Sequence, residues 1–548
     1  MSPSSNIFSH PDIPVEQHLA QVAKISADLV ESKFFNFSSL GLSCQHVKDL
    51  AIRTALFHDI GKCTSFFQRH LPPEEWKGPN GEHYHAGLST ILAYKPLVEY
   101  CKANGLENWV ALGPISAIKC HHGSIDLDLE SLNDSVMEDR LREIKSGLFD
   151  LPDLYGVSFS VLEHSPDPTA VACEIENLCA DLKALETTRL IDFRIFTLFL
   201  YSILLEADKA FLAVKDKNLY QREPVLIAGD TVDKYRAIEF KMNKSEINHL
   251  RDKAYSEIIK HMDTVDLIKG KIYSLTLPTG MGKTLLSASW ALKLREKIQQ
   301  QQGFTPQVIV ALPFLSIIDQ SSQVYDKFLG NPGEEIFLKT HSLQSFEFHG
   351  YEPNTAEFFM NIWKSQVVMT TLDQLFYSIF SLKPKHLMRF HNLCNSIIIL
   401  DEIQSIPPHL WHSFKIFFER ITQIGNSYIL LMSATQPGFL ENARELVPTI
   451  MINGNKRGTE RYFEKFRRYK LVLLHNESKS LDDFIEDMIE RLPALNERKV
   501  LIVLNTRDAA MRTFMRLEPL AGDRETYFLS SYVTPAERLI RMQQIKGS

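Results

Sequence analysis

Residues 272–284 read IYSLTLPTGMGKT, an apolar run followed at once by a glycine-rich turn. A strand that opens into Gly-x-Gly-Lys-Thr and then into a helix (285–295) is the pattern of a phosphate-binding P-loop. The glycines let backbone N–H groups curl around a triphosphate, Lys283 can reach the β- and γ-phosphates, and Thr284 can ligate Mg²⁺. The sequence therefore predicts an ATP site formed by Thr279, Gly280, Met281, Gly282, Lys283 and Thr284.

A P-loop needs an acidic partner at the end of a neighbouring strand, and the apolar run 397–400 supplies one. Asp401 follows this run and is predicted to hold Mg²⁺ through water, while Glu402 would polarise the attacking water. Gln404 lies two residues further on and completes the predicted ATP-binding set.

The region from residue 271 onward alternates short apolar runs with helical stretches, which is typical of an α/β fold with a parallel sheet. Polar or glycine-containing segments follow every run, and in such sheets ligands bind at the carboxyl ends of the strands. A further predicted strand, 500–504, would begin another unit. The five runs that we expect to form the first sheet are 272–277, 308–312, 367–370, 397–400 and 429–432.

The front of the chain is mostly helical in pattern from residue 15 to 212, and residues 216–248 look like a polar connector without periodicity. His58-Asp59 closes an apolar stretch (50–60), and an isolated pair of this kind is more often a satisfied core pair than a metal site. Further ligand types nonetheless occur at helical positions of the same region: His18, His85, His121, His122 and Asp208. Imidazole and carboxylate suit a catalytic transition metal, for which Mn, Fe, Ni and Co are all compatible. His10, His46, His70 and His83 are interpreted as surface or packing residues.

Composition excludes several classes of protein. Hydrophobic residues make up 44% and charged residues 23% of the 548 positions, so the chain is globular rather than disordered. Residues 1–235 carry a net charge of -12 and the remainder +5, so charge alone does not indicate a nucleic-acid binder. The longest apolar run, 195–205, is too short to span a bilayer, and seven scattered cysteines indicate reduced thiols. We expect a cytoplasmic protein with no membrane partner.

Three of these motifs resemble motifs I, II and III of superfamily 2 helicases: residues 278–284, 401–404 and 433–435. Gln404 makes the second a variant of the DExD/H box. The resemblance implies that Ser433, Ala434 and Thr435 couple the ATP state to strand movement. The ordered set His18, His58-Asp59 and Asp208 resembles the HD phosphohydrolase superfamily, and His85, His121 and His122 resemble the additional ligands of HD nucleases that hold a second metal. Catalytic roles are expected for His58, Asp59, Lys62 and Glu402.

An HD domain followed by a superfamily 2 helicase resembles the CRISPR-associated helicase–nuclease of type I interference systems. The resemblance implies recruitment by a guide-RNA surveillance complex of the Cascade type to a displaced DNA strand. It further implies metal-dependent cleavage of that single strand and 3′-to-5′ translocation with ATP and Mg²⁺. Backbone phosphates of the strand are expected near Pro313, Thr370 and Thr371.

The expected architecture is an all-α HD-type domain (1–235), a RecA-like lobe (236–460) and the incomplete start of a second RecA-like lobe (461–548). Late helicase motifs that supply arginines to ATP are not found, so we expect a C-terminally truncated helicase that hydrolyses ATP poorly. Three alternatives stay open. They are a repair-type helicase with an inert HD-like domain, an HD nucleotide phosphohydrolase, and a non-catalytic binding subunit.

Overall fold

The computed structural model describes most of the chain: residues 7–72, 84–126, 132, 137, 139–142, 151–159, 167–214, 220, 224–240, 245–260, 262, 266–268, 270–340, 352–434, 442–452, 455–466, 472–473, 478–495 and 499–547. The chain divides into two compact units, residues 1–466 and 467–548. The first unit contains a helical domain (7–214) and a sheet domain (224–466), which share one apolar core.

The helical domain opens with a short hairpin and continues as a helix bundle. Amphipathic spacing buries one face of each helix, and local caps fix several starts. The Ser43 side chain accepts from the backbone N–H of His46, and Asp167 caps a helix that has Pro168 in its first turn. Its elements are β1 Phe8–His10, β2 Ile13–Pro14, α1 Val15–Glu31, α2 Cys44–Phe57, α3 Ser65–Gln68, α4 Ala86–Ala103, α5 Leu112–Cys120, α6 Pro168–Lys183 and α7 Thr187–Ala213.

Helix α7 is apolar on every side and is the centre of the first unit. Its buried residues run almost without interruption from Phe193 to Ala207, which is the pattern of a helix surrounded by protein. One side packs in the helical bundle and the other meets the sheet domain, where Arg420 pairs with Asp192 at 2.5 Å. The two domains are therefore joined by a packed and hydrogen-bonded interface.

The sheet domain is built on seven parallel strands in the order β5-β6-β4-β7-β8-β3-β9. The central strands are buried on both faces, as expected for a parallel sheet covered by helices. Its elements are α8 Thr231–Glu239, α9 Glu246–Lys260, β3 Ile272–Thr276, α10 Lys283–Gln302, β4 Gln307–Leu312, α11 Leu315–Leu329, β5 Phe337–Thr340, α12 Pro353–Asn361, β6 Val367–Thr371, α13 Leu372–Phe380, α14 Pro384–Leu387, β7 Ser396–Leu400, α15 Trp411–Ile424, β8 Tyr428–Ser433, β9 Arg444–Glu445, β10 Ile450–Ile452, β11 Asn455–Arg457 and α16 Glu460–Lys465.

The five strands that the sequence predicts in this sheet are all present within a residue of the expected bounds. The helical front followed by a parallel-sheet domain confirms the predicted fold class for these two parts. The sequence pattern predicted a polar connector without periodicity at residues 216–248. This prediction was wrong, because α8 and the start of α9 lie within that stretch. Val232 and Leu250 from these helices enter the core beside α10, which the polar composition of the stretch obscured.

The second unit has three α-helices among its described residues: α17 Leu481–Arg491, α18 Arg507–Leu517 and α19 Pro535–Gly547. The predicted strand at 500–504 is wrong. Leu501 is 86% exposed and Val503 79% exposed, and the described part of this unit offers no other strand with which the segment could pair. No helix in the described ranges is long and apolar enough to cross a membrane.

Candidate metal centre and nucleotide site

Five helices of the helical domain bring all seven predicted metal ligands to one place. His18 lies on α1, His58 and Asp59 follow α2, His85 precedes α4, His121 and His122 follow α5, and Asp208 lies near the end of α7. They form two sets whose ligand atoms lie within 4.8 Å of one another: His18, His58, Asp59 and Asp208, hereafter set A, and Asp59, His85, His121 and His122, hereafter set B.

Asp59 belongs to both sets because its two carboxylate oxygens face in different directions. Oδ2 lies 3.1 Å from His18 Nε2 and 3.5 Å from His58 Nε2. Oδ1 lies 2.8 Å from His85 Nε2 and 3.3 Å from His121 Nε2. A carboxylate in this position can bridge two cations, which is the arrangement of two-metal phosphodiester chemistry.

Asp208 closes set A from the opposite side. Its Oδ1 lies 3.4 Å from His18 Nε2 and 3.6 Å from His58 Nε2, and those two ring nitrogens are themselves only 3.3 Å apart. In set B, His122 Nε2 lies 3.0 Å from His85 Nε2. Donor atoms of four side chains thus converge on a common point in each set.

The tautomers of two histidines favour a cation in each set. His58 Nδ1 lies 2.6 Å from the carbonyl of Ala55, and His121 Nδ1 lies 2.6 Å from that of Ile118. Because a carbonyl only accepts, each neutral ring carries its proton on Nδ1 and presents a lone pair at Nε2. Those lone pairs face the oxygens of Asp59, so acceptors oppose acceptors unless a positive charge lies between them. The residues present therefore fit a divalent metal in both sets.

The electrostatics of the centre agree with that fit. Burial alone would raise the pKa of Asp59, but His58, Lys62 and His85 outweigh burial and hold this pKa well below its usual range. Burial acts in the same direction on Asp208, but the neighbouring His18 and His58 outweigh it and hold this pKa well below its usual range. Both carboxylates are consequently ionised and able to act as ligands at neutral pH.

Lys62 and Gly61 shape one edge of the centre. Lys62 is buried and its Nζ lies 2.6 Å from Asp59 Oδ2. Gly61 passes so close to the start of α4 that a Cβ there would lie 2.4 Å from the carbonyl oxygen of His85. The backbone N–H of Gly61 donates to Ser89 Oγ at 2.9 Å, which fixes this approach.

The other histidines of the region divide into near and distant ones. His10, on β1, packs edge-to-face against His18 with ring centroids 5.1 Å apart, so it is a packing residue at the rim of set A. His46 belongs to the cap of α2, and His70 Nδ1 lies 2.7 Å from the carbonyl of Phe66. His83 lies outside the described residues.

The nucleotide site forms at the carboxyl edge of the parallel sheet. Gly280 and Gly282 have positive φ values of 88° and 78°, and α10 begins at Lys283 directly after this turn. Lys283 Nζ lies 3.3 Å from Glu402 Oε1, so the P-loop lysine and the acidic pair at the end of β7 meet. Thr279 lies in the turn, and Thr284 is the second residue of α10. Met281 is buried.

The acidic pair has two unusual features. Glu402 has a positive φ of 51°, a conformation that costs a non-glycine residue energy and often occurs at functional sites. Burial raises the pKa of Asp401 to about 6, against the opposing effect of Lys283. Asp401 Oδ1 accepts from the backbone N–H of Glu402 at 2.9 Å, which holds the carboxylate at the strand end.

A chain of hydrogen bonds joins the second and third motifs. Gln404 Nε2 donates to Glu402 Oε2 at 2.5 Å, and Ser433 Oγ donates to Gln404 Oε1 at 2.6 Å. Glutamine thus links the carboxylate beside Lys283 to the end of β8. Ala434 follows directly, whereas Thr435 lies outside the described residues.

Sequence reasoning missed the residues beside the P-loop. Arg251, on α9, donates to the carbonyl of Gly280 from Nε at 2.9 Å and from Nη2 at 2.6 Å. A cavity of about 100 Å³ lies between this helix and the loop, lined by Tyr255, Phe240 and Leu285 among others. The only sequence signal was the i, i+4 spacing of Leu250, Ala254 and Ile258, the buried face of α9.

The expected phosphate contact at Thr370 was wrong, whereas the one at Thr371 stays a prediction. Thr370 is completely buried because it is part of a strand covered on both faces. The Thr371 side chain accepts from the backbone N–H of Gln374 at 3.1 Å and caps α13. Pro313 is half-buried at the end of β4, so it alone of the three is partly accessible.

Comparisons with known proteins agree with this geometry. Residues 9–173 match the family "Cas3, HD domain", and residues 251–443 match the family "DEAD/DEAH box helicase". The CRISPR-associated nuclease/helicase Cas3 of Haloferax volcanii is 28% identical over 185 residues, 31% of this chain and 20% of the relative. The putative CRISPR-associated nuclease/helicase Cas3 of Methanocaldococcus jannaschii is 26% identical over 187 residues, 32% of this chain and 24% of the relative.

Solved structures show the same fold. T. fusca Cas3 with AMPPNP has a TM-score of 0.59 and 15% identity, covering 97% of this chain and 65% of that chain. T. fusca Cas3 with ADP has a TM-score of 0.60 and 16% identity, covering 98% of this chain and 67% of that chain. The alignments span less than a quarter of the two curated relatives and about two thirds of these solved chains.

The protein therefore joins a helical HD domain to a DEAD/DEAH box helicase domain with a RecA-like sheet. Residues 9–173 are similar to the Cas3 HD domain and residues 251–443 to DEAD/DEAH box helicases, and the chain is similar in part to two CRISPR-associated Cas3 nuclease/helicases.

Proposed function

We propose that the chain is a CRISPR interference nuclease–helicase whose HD centre cleaves single-stranded DNA with two divalent metal ions. The observation that carries this proposal is the carboxylate of Asp59, shared by two complete ligand sets. A phosphohydrolase for small molecules needs no sheet domain with an ATP site, and an inert HD domain needs no shared buried carboxylate.

In this proposal each set would hold one cation, drawn from the transition metals that His/Asp ligands favour. The bound cations would supply electrostatic stabilisation to the oxygens that enter and leave at phosphorus. The chain's own residues prepare the site. His58 and His121 keep their Nε2 lone pairs directed inward through their Nδ1 contacts. Lys62 places an ammonium group beside the same carboxylate, where a phosphate oxygen of the strand could approach.

The sheet domain would bind ATP and Mg²⁺ at the P-loop. Lys283 and Thr284 would contact the phosphates and the ion, Asp401 would hold the ion through water, and Glu402 would orient the attacking water. The cavity beside Tyr255 lies next to the P-loop, and its aromatic and apolar side chains would suit the nucleoside part of ATP. Translocation from 3′ to 5′ and recruitment by a Cascade-type complex are added to this proposal from the family resemblance. The domain bounds 1–235, 236–460 and 461–548 remain predictions from the sequence.

Asp59→Asn tests the nuclease part. Asparagine keeps the shape of the side chain but removes the charge that both sets share, so both metals should be lost and cleavage should fall by more than about 10²-fold. The measurement is cleavage of circular single-stranded DNA with Mn²⁺. Asp49→Asn is the matched control, because Asp49 lies on α2, accepts hydrogen bonds from Tyr100 and Gln45, and belongs to neither ligand set. Unchanged cleavage by the Asp59 variant would leave the repair-type helicase with an inert HD-like domain as the better reading.

Lys283→Ala tests the nucleotide part. Removing the ammonium group that faces Glu402 should weaken MgATP binding by about 10²-fold, since charge-assisted contacts to the phosphates are lost. Fluorescence titration with a labelled ATP measures this. Lys297→Ala, on the same helix but bonded to the carbonyl of Met262, should bind as the parent does. Equal affinities in the two variants would contradict the assignment of the loop.

A further inference from the structure

Helix α7 carries a metal-centre residue on one face and an anchor to the sheet domain on another. Asp208 and Glu206 are two residues apart, so their side chains leave the helix on different faces. Asp208 is directed to set A, whereas Glu206 is buried against the sheet domain. Any rotation of this part of α7 that relaxed one contact would displace the other.

His391 of the sheet domain contacts two residues of α7, Ser202 and Glu206. Its ring is completely buried, and its Nδ1 lies 2.6 Å from Ser202 Oγ. Its Nε2 lies 3.1 Å from Glu206 Oε2, and its backbone N–H donates to Ser202 Oγ at 3.1 Å. Ser202 and Glu206 are one turn apart on the same face of α7, so together they contact the two ring nitrogens of His391.

Glu206 is committed to this contact and unavailable as a metal ligand. Its second oxygen, Oε1, accepts from the hydroxyl of Tyr220 at 2.6 Å. Both carboxylate oxygens are therefore in contact with groups away from set A. Burying a carboxylate costs folding free energy unless the charge is paired. The contacts of Glu206 therefore require accurate placement of its partners.

The sheet domain also holds the end of α7. Thr355, on α12, donates its hydroxyl proton to the carbonyl of Ala213 at 2.6 Å, and Ala213 is the last residue of the helix. Helix ends have unsatisfied carbonyls and tend to fray. Asp208 lies within the last two turns, so fraying there would move a ligand of set A but none of set B.

We propose that Ser202, Glu206 and His391 are a positioning unit that fixes the rotation of α7, so that Asp208 can complete set A. The unit acts through Asp208 and does not touch substrate. The inference rests on the proposed use of metals by the HD centre. It goes beyond that use, because it makes the helicase domain a structural part of only one of the two metal sites.

Mn²⁺ titration of the full chain, followed by the EPR signal of free Mn²⁺, tests this inference without measuring cleavage. We expect two Mn²⁺ ions in the parent. In His391→Asn, whose shorter amide can still meet Ser202 but does not reach Glu206, one site should weaken by about tenfold or more and the other by less than about twofold. His391→Gln, whose amide reaches further, should restore most of the lost affinity.

Arg420→Gln is the control for a general loss of domain packing. It weakens another contact between the same helix and the same domain, but at Asp192, about 24 Å along α7 from Asp208. Both Mn²⁺ sites should keep parental affinity in this variant. Thr355→Val removes only the hydrogen bond to the carbonyl of Ala213, so it replaces His391→Asn if that variant does not fold. It should also weaken one Mn²⁺ site only.

The possible outcomes separate the two proposals. Equal weakening of both sites in His391→Asn, or the same loss in Arg420→Gln, would overturn the inference in favour of a merely structural interface. Parental affinity at both sites in His391→Asn and Thr355→Val would overturn it as well. A parent that binds no Mn²⁺ would overturn the proposed metal-dependent function and the inference together.

Discussion

Asp59 is the residue on which the HD centre depends, and Lys62 determines the charge around it. The ammonium group lies 2.6 Å from the oxygen of Asp59 that belongs to set A. A cation entering that set must therefore approach a positive charge already present. The lysine opposes metal binding, so we expect its ammonium group to serve the phosphate of the substrate instead.

Lys62→Met should separate these two effects. Mn²⁺ should bind more tightly, because a like charge has been removed, while cleavage of single-stranded DNA should fall by about 10²-fold at saturating metal. Metal titration and cleavage rates measure the two quantities on one preparation. Lys95→Met removes an exposed lysine of α4 and should change neither. A rise in both metal affinity and cleavage would show that Lys62 serves only to neutralise Asp59.

Sequence reasoning found the residues of the centre, but not that one of them belongs to both sets. Every one of the seven predicted side chains lies at the centre. That Asp59 joins both sets could not be predicted, since His18 and Asp208 are 190 positions apart and only packing brings them together. The strand at 500–504 failed for a related reason: an apolar run forms a strand only where another strand can pair with it.

At the scale of elements, the turn after α2 and the start of α4 depend on one close approach. The missing side chain of Gly61 lets the turn lie against the backbone of His85. Gly61→Ala should therefore displace His85, destabilise the domain by about 1–3 kcal/mol and weaken the Mn²⁺ site of set B.

Thermal unfolding and Mn²⁺ titration check this expectation. Gly123→Ala is a suitable control, because a Cβ at Gly123 meets nothing within 4 Å although its neighbour His122 is a member of the same set. Parental stability in the Gly61 variant would mean that α4 shifts to accommodate the methyl group.

At the scale of the first unit, the HD and helicase domains share one core and one interface. Apolar residues of both domains belong to the same buried cluster, and Asp192, completely buried, is paired with Arg420 across it. Cooperative unfolding of the two domains is the physical consequence.

Mn²⁺ should consequently raise the unfolding temperature reported from the helicase domain as well as from the HD domain. A ligand stabilises whatever unfolds together with its site. Trp290, Trp363 and Trp411 lie in the helicase domain, so the tryptophan fluorescence of a Trp76→Phe/Trp109→Phe double variant reports on that domain, and far-UV circular dichroism reports on both. Asp59→Asn, which should not bind the metal, supplies the control. Two transitions of which only one responds to Mn²⁺ would contradict a shared cooperative unit.

The shared burial of α7 has a consequence for synthesis of the protein in the cell. The ribosome completes this helix about 200 residues before it completes α15 and β8, which is roughly 10–40 s at ordinary elongation rates. During that interval the face of α7 that later meets the helicase domain has no partner, and Glu206 has no His391 beside it. The nascent HD domain must wait with one face of an apolar helix uncovered, so we expect chaperones to bind the chain at this stage.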